Sequence, residues 1–300
     1  MGATQKSDIA FVPKVWSDHI LAYFDRKMGL GQLALVDKTL TGKPGETVTF
    51  PYWKKVGAAQ KPAENESLVV DKLSDDAFSC TVYELGKAVG WNDASIRKSA
   101  TGPDDAAAES EAQRQMAQVI AEQVDADLIT EISTSGKYAD GFVAADANGK
   151  ATVANILEGK VLGFGDKHDQ AIAIAMHSLC FLDLMKDAGT AFLSAQATDP
   201  MYGAPGFQGR LLGQALFTLD SMPQLANVAS KKTFAAYSFK ANPFGIYIAN
   251  DLHPEKDRDI LARETIVTAT MWLGILSLHA KVSASDKRIL QHTFATSQAA

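Results

Sequence analysis

The sequence predicts an α+β protein built around one long helix. Three observations predict it: a helical pattern spanning 104–135, strand patterns at 47–52 and 78–82 by alternation and at 265–273 by a β-branched run, and a separate stretch, 151–253, where helix and strand patterns alternate. Over 300 residues, 46% apolar and 21% charged residues are the balance of a folded chain with one large or two modest domains. The most apolar stretch, Thr270 to Leu278, is about half of the ~18 residues a membrane span needs.

Residues 1–44 read as an arm. Phe11, Val15, Trp16, Ile20 and Phe24 recur at three- and four-residue steps, the stripe of a short amphipathic helix. Nothing at the N-terminus pairs a basic segment with an apolar one, so no signal peptide is expected. Gly29-Leu30-Gly31-Gln32-Leu33-Ala34 fits GxGxxA, but a helical pattern precedes it where a dinucleotide site needs a strand, so a flexible joint is expected.

Residues 45–93 read as a hairpin. Val48, Phe50 and Tyr52 alternate with polar or turn residues, as do Phe78, Cys80 and Val82, which gives two half-buried strands. The stretch between them, 54–76, is polar and longer than is usual inside a compact domain, so either it is disordered or something outside the domain holds it. The helix over 104–135 starts at Pro103-Asp104-Asp105 and ends at Ser133-Thr134-Ser135-Gly136. Met116, Ile120 and Val124 form its apolar stripe, widened by Val119, Leu128 and Ile132. Glu109, Glu111, Glu122, Asp125, Asp127 and Glu131 give it an acidic face, expected to be exposed.

Within 151–253, Ile172, Ile174 and Met176 alternate with alanines, Ser178 to Ala188 is a short helix closed by Gly189, and Leu216 to Leu219 and Phe244 to Ala249 read as strands. The β-branched run Thr265 to Thr270 followed by Met271-Trp272-Leu273 needs a partner to pack on, and the long helix is the obvious one. Asp257-Arg258-Asp259 is expected to be an ion-pair site at a strand junction.

Little in the chain points to catalysis. It has no Walker loop, no HExxH and no GxSxG. No two of its six histidines lie within four residues of each other, and Cys80 and Cys180 are far apart in apolar surroundings, as buried thiols are. No catalytic residue, cofactor or metal is expected. A net charge of −6 and the lack of a Lys/Arg stripe argue against a broad nucleic-acid surface, so DNA contact is expected to be weak and non-specific.

Taken in order, these segments resemble the major capsid protein of tailed phages, the Hong Kong 97-type capsid fold. The arm comes first. Gly45-Glu46-Thr47-Val48-Thr49-Phe50-Pro51-Tyr52-Trp53 and Phe78 to Val82 resemble the limbs of that family's extended loop, and Gly86-Lys87-Ala88-Val89-Gly90-Trp91-Asn92-Asp93 resembles the stretch that follows it. Gln115, Ala121, Val124-Asp125 and Leu128 fall on its spine helix. Lys256-Asp257-Arg258-Asp259 and Thr265 to Leu273 resemble its return to the peripheral domain.

The resemblance implies an N-terminal arm at 1–44, an extended hairpin loop at 45–93, a peripheral domain from 94–150 and 254–300 with spine helix 104–135, and an α/β axial domain at 151–253. It implies a subunit that assembles as pentamers and hexamers into an icosahedral virion, formed in the host cytoplasm without a membrane. The implied partners are further copies of the chain, a separate scaffolding protein, a portal and, where present, a decoration or cement protein. Intersubunit contacts are expected from Lys54, Lys55, Lys61, Glu64, Glu66, Leu68, Val69 and Val70 of the loop, the lysines facing Glu109, Glu111, Glu122 and Asp125 of a neighbour's helix. Asn242 and Asn250 are formal acceptors for a lysine cross-link, which is not expected here. An encapsulin-like nanocompartment shell shares the fold and stays open as an alternative. A nucleotide-using α/β enzyme and a tail or decoration protein fit the pattern less well.

Overall fold

The computed structural model describes residues 28–39, 47–53, 56–61, 64, 67–68, 70–92, 105–134, 138–145, 148–189, 192–194, 201, 206–259, 261, 263–278 and 288–299. The helical stripe expected at 11–24 lies outside them. Helix α1 runs Asp105–Thr134, within one residue of the sequence expectation at each end. Met116, Ile120, Val124, Leu128 and Ile132 are all buried. Val119 is not: it is 45% exposed, because Met116 and Ile120 already fill the contact and position 119 turns outward.

What covers the stripe comes from distant parts of the chain. Strands β1 (Leu35–Asp37), β12 (Phe244–Asp259), β13 (Glu264–Ser277) and β4 (Tyr83–Asn92) form a four-stranded sheet in the order β1-β12-β13-β4. Along β13, Val267, Ala269, Met271 and Leu273 are buried in the same cluster as the helix stripe, and Tyr83, Leu85, Val89 and Trp91 of β4 pack against it. This is the expected partnership between the β-branched run and the long helix.

A second sheet has eight strands. Its path is β5 (Ala139–Val143), β14 (Ile289–Ala299), β11 (Lys231–Phe239), β6 (Ala173–Met176), β9 (Gln214–Thr218), β8 (Phe207–Leu211) and β7 (Phe192–Ser194), with β10 (Gln224–Val228) beside β11. Its period-two alternation serves two cores. Ala173, Ala175, Phe217, Tyr237 and Phe239 join the α1 cluster, while Ile174, Met176, Leu216, Ala236 and Phe294 face the other way. That second face is covered by α2 (Val153–Phe164) and α3 (Ser178–Ala188), the latter closed by Gly189 at φ +46°.

Sheet membership cuts across the boundaries expected from sequence. β4 lies within 45–93 yet pairs with β13 from Tyr83↔Leu273 to Asn92↔Glu264, because its apolar side chains belong under α1. β12 starts inside 151–253 and β14 lies inside 254–300, yet β14 sits between β5 and β11 in the large sheet. The remaining pair, β2 (Thr47–Trp53) and β3 (Asp75–Thr81), is the expected hairpin, in register from Thr47↔Thr81 to Trp53↔Asp75.

Helix α2 can lie close on β14 because it presents Gly159 and Gly163 one turn apart. A methyl group at Gly163 would overlap Leu290, and one at Gly159 would meet the His292 ring and the Phe142 backbone. Gly159→Ala is therefore expected to cost about 1–3 kcal/mol in a denaturant titration, the ordinary cost of overpacking. The same change at exposed Gly213 meets no atom within 4 Å, although its φ of +81° adds backbone strain.

Candidate functional site

The hairpin has two ends of different character. At its base, Val48 and Cys80 are buried with Tyr247 and Leu276, which fixes it to the four-stranded sheet. Beyond Trp53 the two limbs converge again where the Gly57 N–H donates to Asp71 Oδ2 at 3.1 Å. The outer end exposes apolar side chains: Trp53 by 68%, Leu68 by 63%, Val70 by 88% and Leu73 by 71%. Scattered apolar residues on a surface are ordinary, but so many on one projecting hairpin form an unsatisfied surface. Lys61 and Glu64 are exposed beside them. Lys54, Lys55, Glu66 and Val69 lie outside the described residues.

The acidic face of α1 is smaller than expected. Glu111 and Glu122 are exposed. Glu111 is held by Arg114 at 2.6 Å and by Gln115, which bring its carboxyl down to about 2. Glu109 and Asp125, expected on the same face, are buried at 6% and 5% exposure. Glu109 Oε2 takes Lys256 of β12 at 3.1 Å, and its Oε1 has no partner among the described residues. Asp125 accepts the N–H of Gly29 at 2.7 Å on Oδ2 and that of Gly31 at 3.1 Å on Oδ1. Both partners are more than 90 residues away in sequence, so helical periodicity could not reveal them.

Asp125 thereby corrects the reading of Gly29–Ala34 as a flexible joint. Leu30–Leu33 is a 3-10 turn with Leu30 and Leu33 buried, and its free N–H groups end on one carboxylate. A Cβ at Gly31 would meet the Met28 side chain, with Sδ at 2.8 Å, and displace it.

At the far end of β12, Asp257, Arg258 and Asp259 are exposed. Asp257 Oδ1 accepts the Arg258 N–H at 2.7 Å and Asp259 Oδ1 the Leu261 N–H at 2.8 Å, so the two carboxylates shape the turn into β13. A cross-element ion pair, Lys256–Glu109, lies one residue before the expected trio.

Two arrangements look superficially catalytic. Ser238 Oγ and His292 Nε2 lie 2.9 Å apart, both residues fully buried. His292 Nδ1 accepts the Phe142 N–H, so the ring proton sits on Nε2 and points at the hydroxyl, leaving no base for it. Ser178 donates to Asp220 at 2.6 Å, while His177 Nδ1 caps α3 by accepting the Leu179 N–H. The His177 Nε2 atom lies 4.0 Å from the exposed Asp220 carboxylate. Cys80 and Cys180 are free buried thiols, and burial pushes Cys180 up to about 12. Among the described residues no three His, Cys, Asp or Glu side chains group as metal ligands do, and no helix is long and apolar enough to cross a membrane.

No family model matches the chain. The major capsid protein of Staphylococcus phage phiMR11 is 24% identical over 250 residues, 83% of this chain and 86% of that protein. Among solved structures, the capsid of Ralstonia phage GP4 superposes with a TM-score of 0.70 at 10% identity, covering 99% of this chain and 96% of that one. The Cyanophage Pam1 capsid gives 0.66 at 13% identity over 98% and 96% of the two chains. The head of Helicobacter pylori bacteriophage KHP40 gives 0.61 at 11% identity over 99% and 95%. The α+β architecture described above is thus the Hong Kong 97-like fold of phage capsids.

Two buried groups set opposite pH dependences. Burial lowers His292 to about 3 from an ordinary value near 6.5, so its contribution is present above pH 6.5 and is lost as pH falls toward 3. Burial raises Asp125 to about 6 from 3.8, opposed by the backbone N–H groups, so its contribution is full below pH 3.8 and is lost as pH rises through 6. Between pH 6.5 and 4 these two opposed contributions nearly cancel in the wild-type subunit. His292→Gln removes the destabilising one, so the melting temperature of the variant is expected to rise relative to wild type as pH falls across that range, measured by thermal melts. Asp125→Ala leaves two buried N–H donors unmet and should cost about 1–3 kcal/mol for each group left unpaired.

Proposed function

We propose that this chain, which carries the fold of phage capsid subunits, is the major capsid protein of a tailed phage and builds an icosahedral head around double-stranded DNA. The observation that carries the reading is the hairpin. A body fully folded around α1 projects a two-stranded arm whose outer apolar side chains, Trp53, Leu68, Val70 and Leu73, are left to solvent by the rest of the described chain. A shell of identical subunits supplies the missing cover by placing the same arm on each neighbour in turn, a heterologous contact that closes.

In this reading α1 with the four-stranded sheet is the peripheral domain, and the eight-stranded sheet with α2 and α3 is the axial domain that meets its copies around pentamers and hexamers. Lys54, Lys55 and Lys61 meet acidic groups of the adjacent subunit, among them exposed Glu122 of α1, while Glu111 is already paired with Arg114 of its own helix. Such exposed pairs contribute little each, about 0–1 kcal/mol, so apolar contact and backbone pairing of the hairpin carry the joint. A scaffolding protein, a portal and a decoration or cement protein are the further partners of this role, and the packaged DNA touches the inner wall weakly and non-specifically. The role is structural, and its place is the virion.

Deleting 56–74 and closing the limbs with a short turn keeps the register from Thr47↔Thr81 to Trp53↔Asp75. The shortened subunit is expected to fold with an unchanged far-ultraviolet spectrum but to give no closed shells by electron microscopy, where the full chain, alone or with its scaffolding protein, gives them. Shells of normal yield from the deletion variant would contradict the proposed joint, and a full chain that stays monomeric under both conditions would contradict the capsid role itself.

A further inference from the structure

The eight-stranded sheet carries an exposed apolar patch toward each of its two edges. The first is on α2, which lies over β5 and β14. Ile156, Gly159, Gly163 and Phe164 form the buried face of that helix. A surface helix ordinarily turns polar residues outward. Here Leu157, Val161 and Leu162 face solvent, Leu162 by 66%, and Glu158 is the one exposed charge on the helix. The second patch is at the other edge. Leu193 of β7 is 59% exposed, Leu212 is exposed in the β8–β9 turn, and exposed Ile172 accepts the Ala215 N–H beside that turn. Neither patch belongs to the two cores.

We infer that the two patches are the two halves of one contact: Leu157, Val161 and Leu162 of one copy seat against Leu193, Leu212 and Ile172 of the next copy around a ring. The inference rests on the capsid reading and names the surfaces that meet. Position is the first argument. Between β5 and β7 lie six strand spacings of about 4.8 Å, roughly 29 Å in all. Patches that far apart on one sheet cannot cover each other within a subunit. Contact between unlike patches is the heterologous kind, and it closes into a ring when each copy is turned by the same angle from the last. A two-fold dimer would need only one patch, paired with itself.

Charge is the second argument, and it decides between those two arrangements. Glu158 lies one turn from Leu162 on α2, so the first patch is acidic. Arg210 stands opposite Leu193 across β7 and β8, and its guanidinium donates to the Gly213 carbonyl at 3.0 Å in the turn that carries Leu212, so the second patch is basic. Set against itself, either patch brings like charges together. Set against the other, the carboxylate meets the guanidinium, which fixes the register while the apolar side chains supply the affinity. The partner that fits each patch is therefore the opposite edge of an identical sheet.

Cross-linking in assembled shells tests this. The full chain carrying both Leu162→Cys and Leu193→Cys is assembled as the wild type is and treated with a flexible bis-maleimide; Cys80 and Cys180 are buried and stay unreactive. A denaturing gel is expected to show a ladder that ends at five and six copies, and each single-cysteine variant is expected to run as monomer. No ladder from the double variant overturns the proposal. Dimers from either single variant overturn it too, because a patch would then be pairing with itself. Leu162→Glu and Leu193→Glu, both at exposed positions, should keep the wild-type melting temperature and each lower the yield of shells at least tenfold. Normal yield from either overturns the contact and leaves the capsid reading standing. A wild-type chain that forms no shells, alone or with its scaffolding protein, fails the capsid reading itself and this contact with it.

Discussion

The apolar stripe of α1, about 45 Å long for 30 residues, has to be covered along its whole length, and no neighbouring stretch of sequence can do it. Burying Met116, Ile120, Val124, Leu128 and Ile132 is worth about 1.5–3 kcal/mol each. The cover comes from β13, β4 and the 3-10 turn at Leu30–Leu33, segments that span most of the chain. The same helix ties down charge: Glu109 holds Lys256, Asp125 holds the turn, and Asp127 takes the Tyr83 hydroxyl at 2.7 Å. Those ties fix where β12, the turn and β4 lie, and with them the base of the hairpin, which rests on Tyr247 and Leu276 of the same sheet.

From that constraint comes a division of labour. The body satisfies itself, with two cores on the two faces of the large sheet and the long helix closing one of them. Among the described residues, the hairpin buries its apolar side chains at its base and leaves the outer ones exposed. An element that leaves large apolar side chains in water is a poor investment for a monomer, and it becomes useful when identical copies stand side by side. Within the large sheet, the buried Ser238–His292 pair has the imidazole proton directed at the hydroxyl and locks β11 to β14.

Local signals made much of the fold legible. The ends of α1 followed from Pro103-Asp104-Asp105 and the Ser-Thr-Ser-Gly run, the end of α3 from Gly189, and the packing of β13 on α1 from the β-branched run at 265–270. The hairpin strands followed from alternation. What stayed hidden depends on partners far away in sequence. Glu109 and Asp125 read as part of one exposed acidic face with Glu111 and Glu122, and only Lys256 and the turn at Gly29–Gly31 show otherwise. The six residues of GxGxxA read as a joint because nothing local says that their N–H groups meet a carboxylate. β14 read as part of the helix-bearing unit, since an alternating strand carries no sign of which sheet it will join.

The central claim is that the body is complete in one subunit and the outer hairpin is completed by another. Hydrogen–deuterium exchange on free subunits and on assembled shells reads both halves at once. Amides of α1 from 116 to 132 are expected to be equally protected in the two states, while those of 56–61 and 70–74 gain at least tenfold protection in the shell. Equal protection of the outer hairpin in free subunits and shells would contradict the account, because the hairpin would then be held by its own chain.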